Sequence, residues 1–150
     1  MYPRFFGASL FVLAASIAAP AHAERAAVVK IATGDVSVER AGQRIAARPG
    51  DELQPGDVLS TGPDSRAGIT FEDNSRVALG PKTRYVIERY EFNSTTHEGR
   101  FDANLTRGSM AMVSGRLSKQ SPDAVRVKTP STVLAVRGTQ FLVEIPEDER

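Results

Sequence analysis

From Ala26 onward the chain alternates between apolar and polar residues in short runs and never settles into a helical period. Val28 to Ala32 comes first, and then Val36 and Val38 alternate with Ser37 and Glu39. Ala67, Ile69 and Phe71 alternate with Gly68, Thr70 and Glu72, and Val77 and Leu79 resume after Asp73-Asn74-Ser75. Phe101, Ala103 and Leu105 alternate with Asp102, Asn104 and Thr106, and Val125 and Val127 with Arg126 and Lys128. A period of two puts one face of each run in a core and the other in water.

Turn residues separate the runs: Gly34-Asp35, Pro49-Gly50-Asp51, Pro55-Gly56-Asp57, Gly62-Pro63-Asp64, Gly80-Pro81, Gly99, Gly108, Gly115 and Pro130. They recur mostly at intervals of 6 to 13 residues, with no linker or composition break between them. That spacing predicts a single all-β domain, a short-stranded β-solenoid-like roll or sandwich. Within it, "PGDEL" (49–53) and "PGDVL" (55–59) form a tandem repeat, which predicts two similar turns, as stacked coils would present.

One dipeptide breaks the pattern. In "TPSTVLAVRGTQFLVEI" (129–145), Val133 to Val136 have the character of a strand buried on both faces. Phe141, Val143 and Ile145 alternate with Gln140 and Glu144, as in a strand with one wet face. Arg137 and Gly138 stand between them, a permanent cation and the residue least suited to a strand interior. Gly138 is expected to make a bulge or bend, or to admit another backbone closely. Arg137 is expected to brace turns with its fork, with Asp57 and Asp64 as partners. Exposure at the kink would instead make it a ligand contact.

The N-terminus has a separate logic. Arg4 precedes an apolar run from Phe5 to Ala19, and Ala21-His22-Ala23 supplies the small residues that a signal peptidase reads. Residues 1–23 are therefore predicted to be a cleaved secretory signal and 24–150 the mature domain, periplasmic or secreted, with no membrane span after cleavage. Without Arg4 the 19 basic residues fall to the 18 acidic ones, so no overall basicity argues for nucleic acid. Acidic residues predominate up to Ser75 and basic ones after it, which predicts a dipolar surface. There is no cysteine, so packing alone must hold an exported chain.

Taken in order, "GDVSVERAG", "PGDVLSTGPDSRAGITFEDNSRVALGPKTRYVI", "LTRGSMAMVSG" and "VKTPSTVLAVRGTQFLVEI" resemble the FecR domain family. The family pattern runs from a Gly-x-Val strand through Gly-Asp-x-Leu-x-Thr and a Phe-acid-turn-Ser hairpin to Leu-x-x-Gly and a closing Val-Arg-Gly-Thr-x-Phe. The last element falls here on Val136, Arg137, Gly138, Thr139 and Phe141, and the second begins at Gly56 and Asp57. The resemblance implies a periplasmic β-rich module. In its best-known members this is the outer half of a transmembrane regulator that relays iron–siderophore signals from a receptor to a sigma factor. Only four residues precede the apolar run here, and the chain ends at Arg150 soon after the last strand. The expectation is a stand-alone module without the cytoplasmic anti-sigma region.

Candidate chemistry is sparse. His97, the only histidine after residue 23, sits in the polar "NSTTHEGR" and has neither a second histidine nor a cysteine to join it at a metal. Glu72, Asp73 and Asn74 fall short of a calcium loop and suit an ordinary hairpin. The sequons at Asn93 and Asn104 carry no weight in a chain with a bacterial-type signal. No nucleophile elbow or phosphate loop occurs, and the expectation is no enzyme, no cofactor and no metal. Tyr85, Tyr90, Phe92 and Phe101 could fill the core or stack on sugars. Arg116, Lys119, Arg126 and Lys128 could meet an anionic envelope component or form a solvated face. The predicted function is a binding or regulatory module of the cell envelope, related to signal transduction, with an envelope protein as partner. The alternative is a glycan binder that uses Tyr85, Tyr90 and the basic residues.

Overall fold

The computed structural model describes residues 24–147, so the predicted signal segment, 1–23, lies outside the described residues. Twelve strands and one short helix follow in order: β1 (Ala27–Thr33), β2 (Val36–Arg40), β3 (Gln43–Ala46), β4 (Glu52–Leu53), β5 (Val58–Thr61), β6 (Arg66–Phe71), β7 (Arg76–Leu79), β8 (Arg84–Phe92), β9 (Gly99–Val113), α1 (Arg116–Gln120), β10 (Val125–Lys128), β11 (Val133–Ala135) and β12 (Gln140–Ile145). The predicted all-β single domain is what forms. The exception to the strand pattern is α1, five residues long, too short to show a period.

All strands belong to one sheet, curled so that its two halves face each other across the core. One half has the order β4-β1-β6-β7-β9-β12 and the other β3-β2-β5-β8-β9-β10-β11. Strand β9 belongs to both. Its first part pairs with β8 and, in parallel, with β10, and its last part pairs with β7 and β12. The remaining pairings are antiparallel.

The alternation read from the sequence decides what fills the curl. Leu59, Ile69, Phe71, Leu79, Tyr85, Ile87, Phe101, Leu105, Met110 and Met112 are all fully buried and come from both halves. Phe71 of one half packs on Phe101 and Tyr90 of the other, with ring centroids 4.4 and 5.1 Å apart. Such tilted aromatic pairs add to the burial of their area, and without cysteine the shared core helps hold the two halves together.

The chain crosses between halves four times along one corner, at Gly34-Asp35, at 62–65, at 80–83 and within β9 at Gly108. Hydrogen bonds run along this corner like rungs. The Gly62 amide donates to the Asp35 carbonyl (2.9 Å), the Thr61 hydroxyl to the Gly80 carbonyl (2.6 Å) and the Ser109 amide to the Thr83 hydroxyl (3.0 Å). Gly62-Pro63-Asp64-Ser65 and Gly80-Pro81-Lys82-Thr83 are two copies of one turn, with Asp64 and Lys82 both at positive φ. In each copy the hydroxyl of Ser65 or Thr83 donates back to the proline carbonyl. Gly108, at φ +85°, lies so close to Thr83 that a Cβ would collide with it, so β9 can bend here only with glycine.

The tandem Pro-Gly-Asp repeat also gives two copies of one turn. The Arg48 amide donates to the Asp51 carboxylate and the Gln54 amide to that of Asp57, both at 2.8 Å. The strands that follow go to opposite halves, β4 beside β1 and β5 between β2 and β8. The acidic and basic segments likewise supply strands to both halves. Their charges meet across the fold where Arg84 approaches Glu39.

Candidate functional site

Two buried aspartates organise the interior polar contacts. Asp57 accepts Nε and Nη2 of Arg40 at 2.8 and 2.6 Å, one on each carboxylate oxygen, and is 1% exposed. The same guanidinium donates to the Glu52 carbonyl, so one side chain ties β2 to β4 and to the turn that follows it. The Arg40 pKa is raised, first by its hydrogen bonds to Asp57.

Asp73 is wholly buried in the β6–β7 hairpin. Its carboxylate accepts the Ser75 amide and hydroxyl, the Leu117 amide and the Tyr90 hydroxyl. Its backbone amide donates to the Tyr90 oxygen, its carbonyl accepts the Arg116 amide, and the Ser75 hydroxyl oxygen accepts the Gly115 amide. This network fastens the hairpin to β8 and to the start of α1. Burial, then the negative charge of Asp73, raises the Tyr90 pKa. Buried Tyr85 is raised too, by desolvation, and its hydroxyl has no hydrogen-bond partner among the described residues.

Several sequence expectations need correction. Arg137 reaches neither Asp57 nor Asp64. Asp57 is taken by Arg40, Asp64 is an exposed turn residue, and Arg137 donates Nε and Nη2 to Asp123 at 3.2 and 2.8 Å. That pair is open to solvent, the two side chains being 72% and 66% exposed. Val133 to Val136 are not buried on both faces. Val133 and Ala135 are exposed, because β11 pairs only with β10 among the described strands, and Val136 alone is buried. The answer to the Arg-Gly dipeptide is that it joins strands in different halves, β11 in one and β12 in the other. Gly138 sits at φ +139° with nothing within 4 Å of a Cβ position, so the expected bend is present and the close backbone approach is not. Thr139 anchors the crossing by accepting the Ser114 amide, and Phe141 is half-buried. Gly56 lies at φ +95° in the second copy of the Pro-Gly-Asp turn.

Tyr85 and Tyr90, named for a binding surface, are core residues, as is Phe101; inward phase on β8 and β9 puts them there. The four basic residues go to different places. Arg116 stands 6.0 Å from the Phe92 ring centre, and Lys119 lines a shallow cleft with Asp123 and Arg137. Lys128 pairs with Glu88, and Arg126 is exposed on β10. His97 lies in the β8–β9 loop as expected, at positive φ, with its ring stacked on Phe92.

Two outward surfaces were not anticipated. On the outer face of the first half, Ile31, Gly68, Ala78, Ala111 and Leu142 stand in one cross-strand row over β1, β6, β7, β9 and β12. Glycine and alanine floor a trough of about 630 Å³ whose walls include Ile31 and Leu142, 54% and 70% exposed. Arg66 lines it beside Asp64, and Lys30 and Arg76 line an adjoining hollow of about 420 Å³ that shares Ile31, Gly68, Ala78 and Ala111; none of the three cations has an acidic partner among the described residues. On the other half, Ser37, Ser60, Arg84 and Arg107 form a comparable row. The outward phase of the strands was visible in the sequence, whereas the order in which they lie side by side was not.

A family model described as FecR protein matches residues 57–150. It opens at the buried Asp57 and takes in the corner turns, the Asp73 hairpin, β9 and the Arg137–Gly138 crossing, and it leaves β1 to β4 outside. No curated protein and no solved structure matches the chain. The motifs from Asp57 onward fall within the match while "GDVSVERAG" (34–42) lies outside it, and the chain belongs to the FecR family of signal-transduction regulatory modules.

Proposed function

We propose that this protein is an exported, non-catalytic regulatory module of the cell envelope that docks an extended segment of a partner protein in the trough on its β1–β6–β7–β9–β12 face. The row Ile31–Gly68–Ala78–Ala111–Leu142 carries this reading. A floor of hydrogens and methyl groups lets a partner's side chains settle onto the sheet, and two large exposed apolar residues are otherwise left in water. Arg66 in the trough and Lys30 and Arg76 in the adjoining hollow outnumber the one acid there, Asp64, and favour a segment that is acidic beside its apolar residues. The signal-like residues 1–23 support export. The non-catalytic reading rests on the acids that lie inside the fold. Asp57 and Asp73 are held by several donors each, and neither is offered to a substrate.

A photo-crosslinking residue at Ala78, with one at Val86 on the other half as control, tests this in the host. A discrete protein adduct from Ala78 alone, lost when Leu142→Asp is added, is the expected result. Adducts to glycan strands, or equal adducts from both positions, would overturn it. Mass spectrometry of the same material should show a chain beginning at Glu24, and a full-length mass would contradict export.

A further inference from the structure

We infer that the outer face of the β2–β5–β8–β9 half holds a binding site for a phosphate monoester. This face carries an electrostatic cost. Arg84 and Arg107 are direct cross-strand partners on β8 and β9, and like charges placed opposite each other in a sheet repel. A register irregularity between Arg84 and Tyr85 displaces the pairing at this point, the kind of bulge that re-aims a side chain.

Some exposed guanidinium groups elsewhere lie on carboxylates, as in Arg89 with Glu91 and Arg100 with Asp102. The two arginines here are relieved far less. Arg107 has no partner among the described residues, and Arg84 has only Glu39, at 3.9 Å. Arg44 also lines the site and donates only Nε, to the Ser37 hydroxyl, which leaves its other N–H groups unused. These side chains, with Lys82, the Ser60 hydroxyl and Glu39, line one concavity of about 410 Å³ beside the Gly62-Pro63 turn. Lys82 is shared with Glu147, 3.6 Å away, so the three arginines are the groups left to act.

Three forks and a serine hydroxyl around one hollow suit a dianionic tetrahedral group, which accepts bidentate arginine bonds from several sides and cancels the repulsion of Arg84 and Arg107. The phosphate could be presented by a soluble sugar or glycerol phosphate, or by a phosphomonoester lipid headgroup. The site faces away from the trough on the other half, so it does not depend on the protein-docking reading.

The test is a titration of residues 24–150 with glycerol phosphate, followed by amide chemical shifts, with phosphatidic acid vesicles as a second arm. Saturating shifts at Ser37, Ser60, Arg84 and Arg107 are expected. Arg107→Gln should weaken binding by about tenfold or more, the effect of losing a charge-assisted contact, and Arg126→Gln should not. Without ligand, Arg107→Gln should unfold at an equal or higher urea concentration, because it removes a like-charge pair. A purely structural arginine would lower that midpoint. Vesicle binding that glycerol phosphate displaces and Arg107→Gln abolishes would identify the lipid source, and saturation by glycerol phosphate alone the soluble one. Shifts that never saturate, equal binding by Arg107→Gln, or a response centred on Arg126 would overturn the inference.

Discussion

Arg40 and Arg137 each turn Nε and Nη2 toward an aspartate, and the two pairs differ in what surrounds the carboxylate. Asp57 is buried, receives one nitrogen of Arg40 on each oxygen, and also accepts the Gln54 amide. Asp123 is exposed and takes both nitrogens of Arg137 on one oxygen. In the first pair the acid cannot be re-solvated if the fork is removed, whereas in the second water replaces either partner. The same two residue types therefore brace the fold in one place and decorate it in another. Burial of the acid decides which.

Asp73 extends the comparison, since it is a buried acid with no arginine at all. Its carboxylate is balanced by amide and hydroxyl donors from three segments, so it should matter more than either ion pair. Asp73→Ala is expected to destabilise by about 3–4 kcal/mol in urea, because several buried donors lose their acceptor at once. A loss under about 1 kcal/mol would mean that the network is incidental.

These acids were legible in principle. Asp73 shares the inward phase of Ile69 and Phe71, and Asp57 that of Leu59, so the period of two already aimed both carboxylates at the core. Reading Asp73 as ordinary hairpin chemistry overlooked its phase. Strand positions, turn positions and the fold class could likewise be read from alternation and punctuation. The partner of Arg137 could not, because Asp123 comes next to it only through the pairing of β10 with β11, a matter of topology. The trough and the arginine row escaped for the same reason. Each is a set of single outward residues from four or five strands, and their sequence order is not their order in the sheet.

The two core tyrosines give a smaller test of what a buried acid confers. Tyr90 exchanges hydrogen bonds with Asp73, and Tyr90→Phe should cost about 1–2 kcal/mol. Tyr85 has no such partner, so Tyr85→Phe should be neutral or slightly stabilising. Both phenols have raised pKa values in the fold, mainly through burial. Above about pH 10 the unfolded chain releases these protons while the folded one keeps them. Stability is therefore full below that pH and falls as pH rises further. Urea melts between pH 8 and 11, roughly spanning the ordinary tyrosine value, should show a slope that is shallower in either Phe variant. A slope unchanged in both would show that neither phenol is protected.

Most direct is a pair of double-mutant cycles in urea, one for Arg40 and Asp57 and one for Arg137 and Asp123, each residue changed to Ala singly and together. The expected coupling is about 1.5–3 kcal/mol for the first, the range for a hydrogen bond to a charged group, and none resolvable for the second. Equal couplings, or a larger one at Arg137, would contradict the claim that burial of the acid separates the brace from the surface pair.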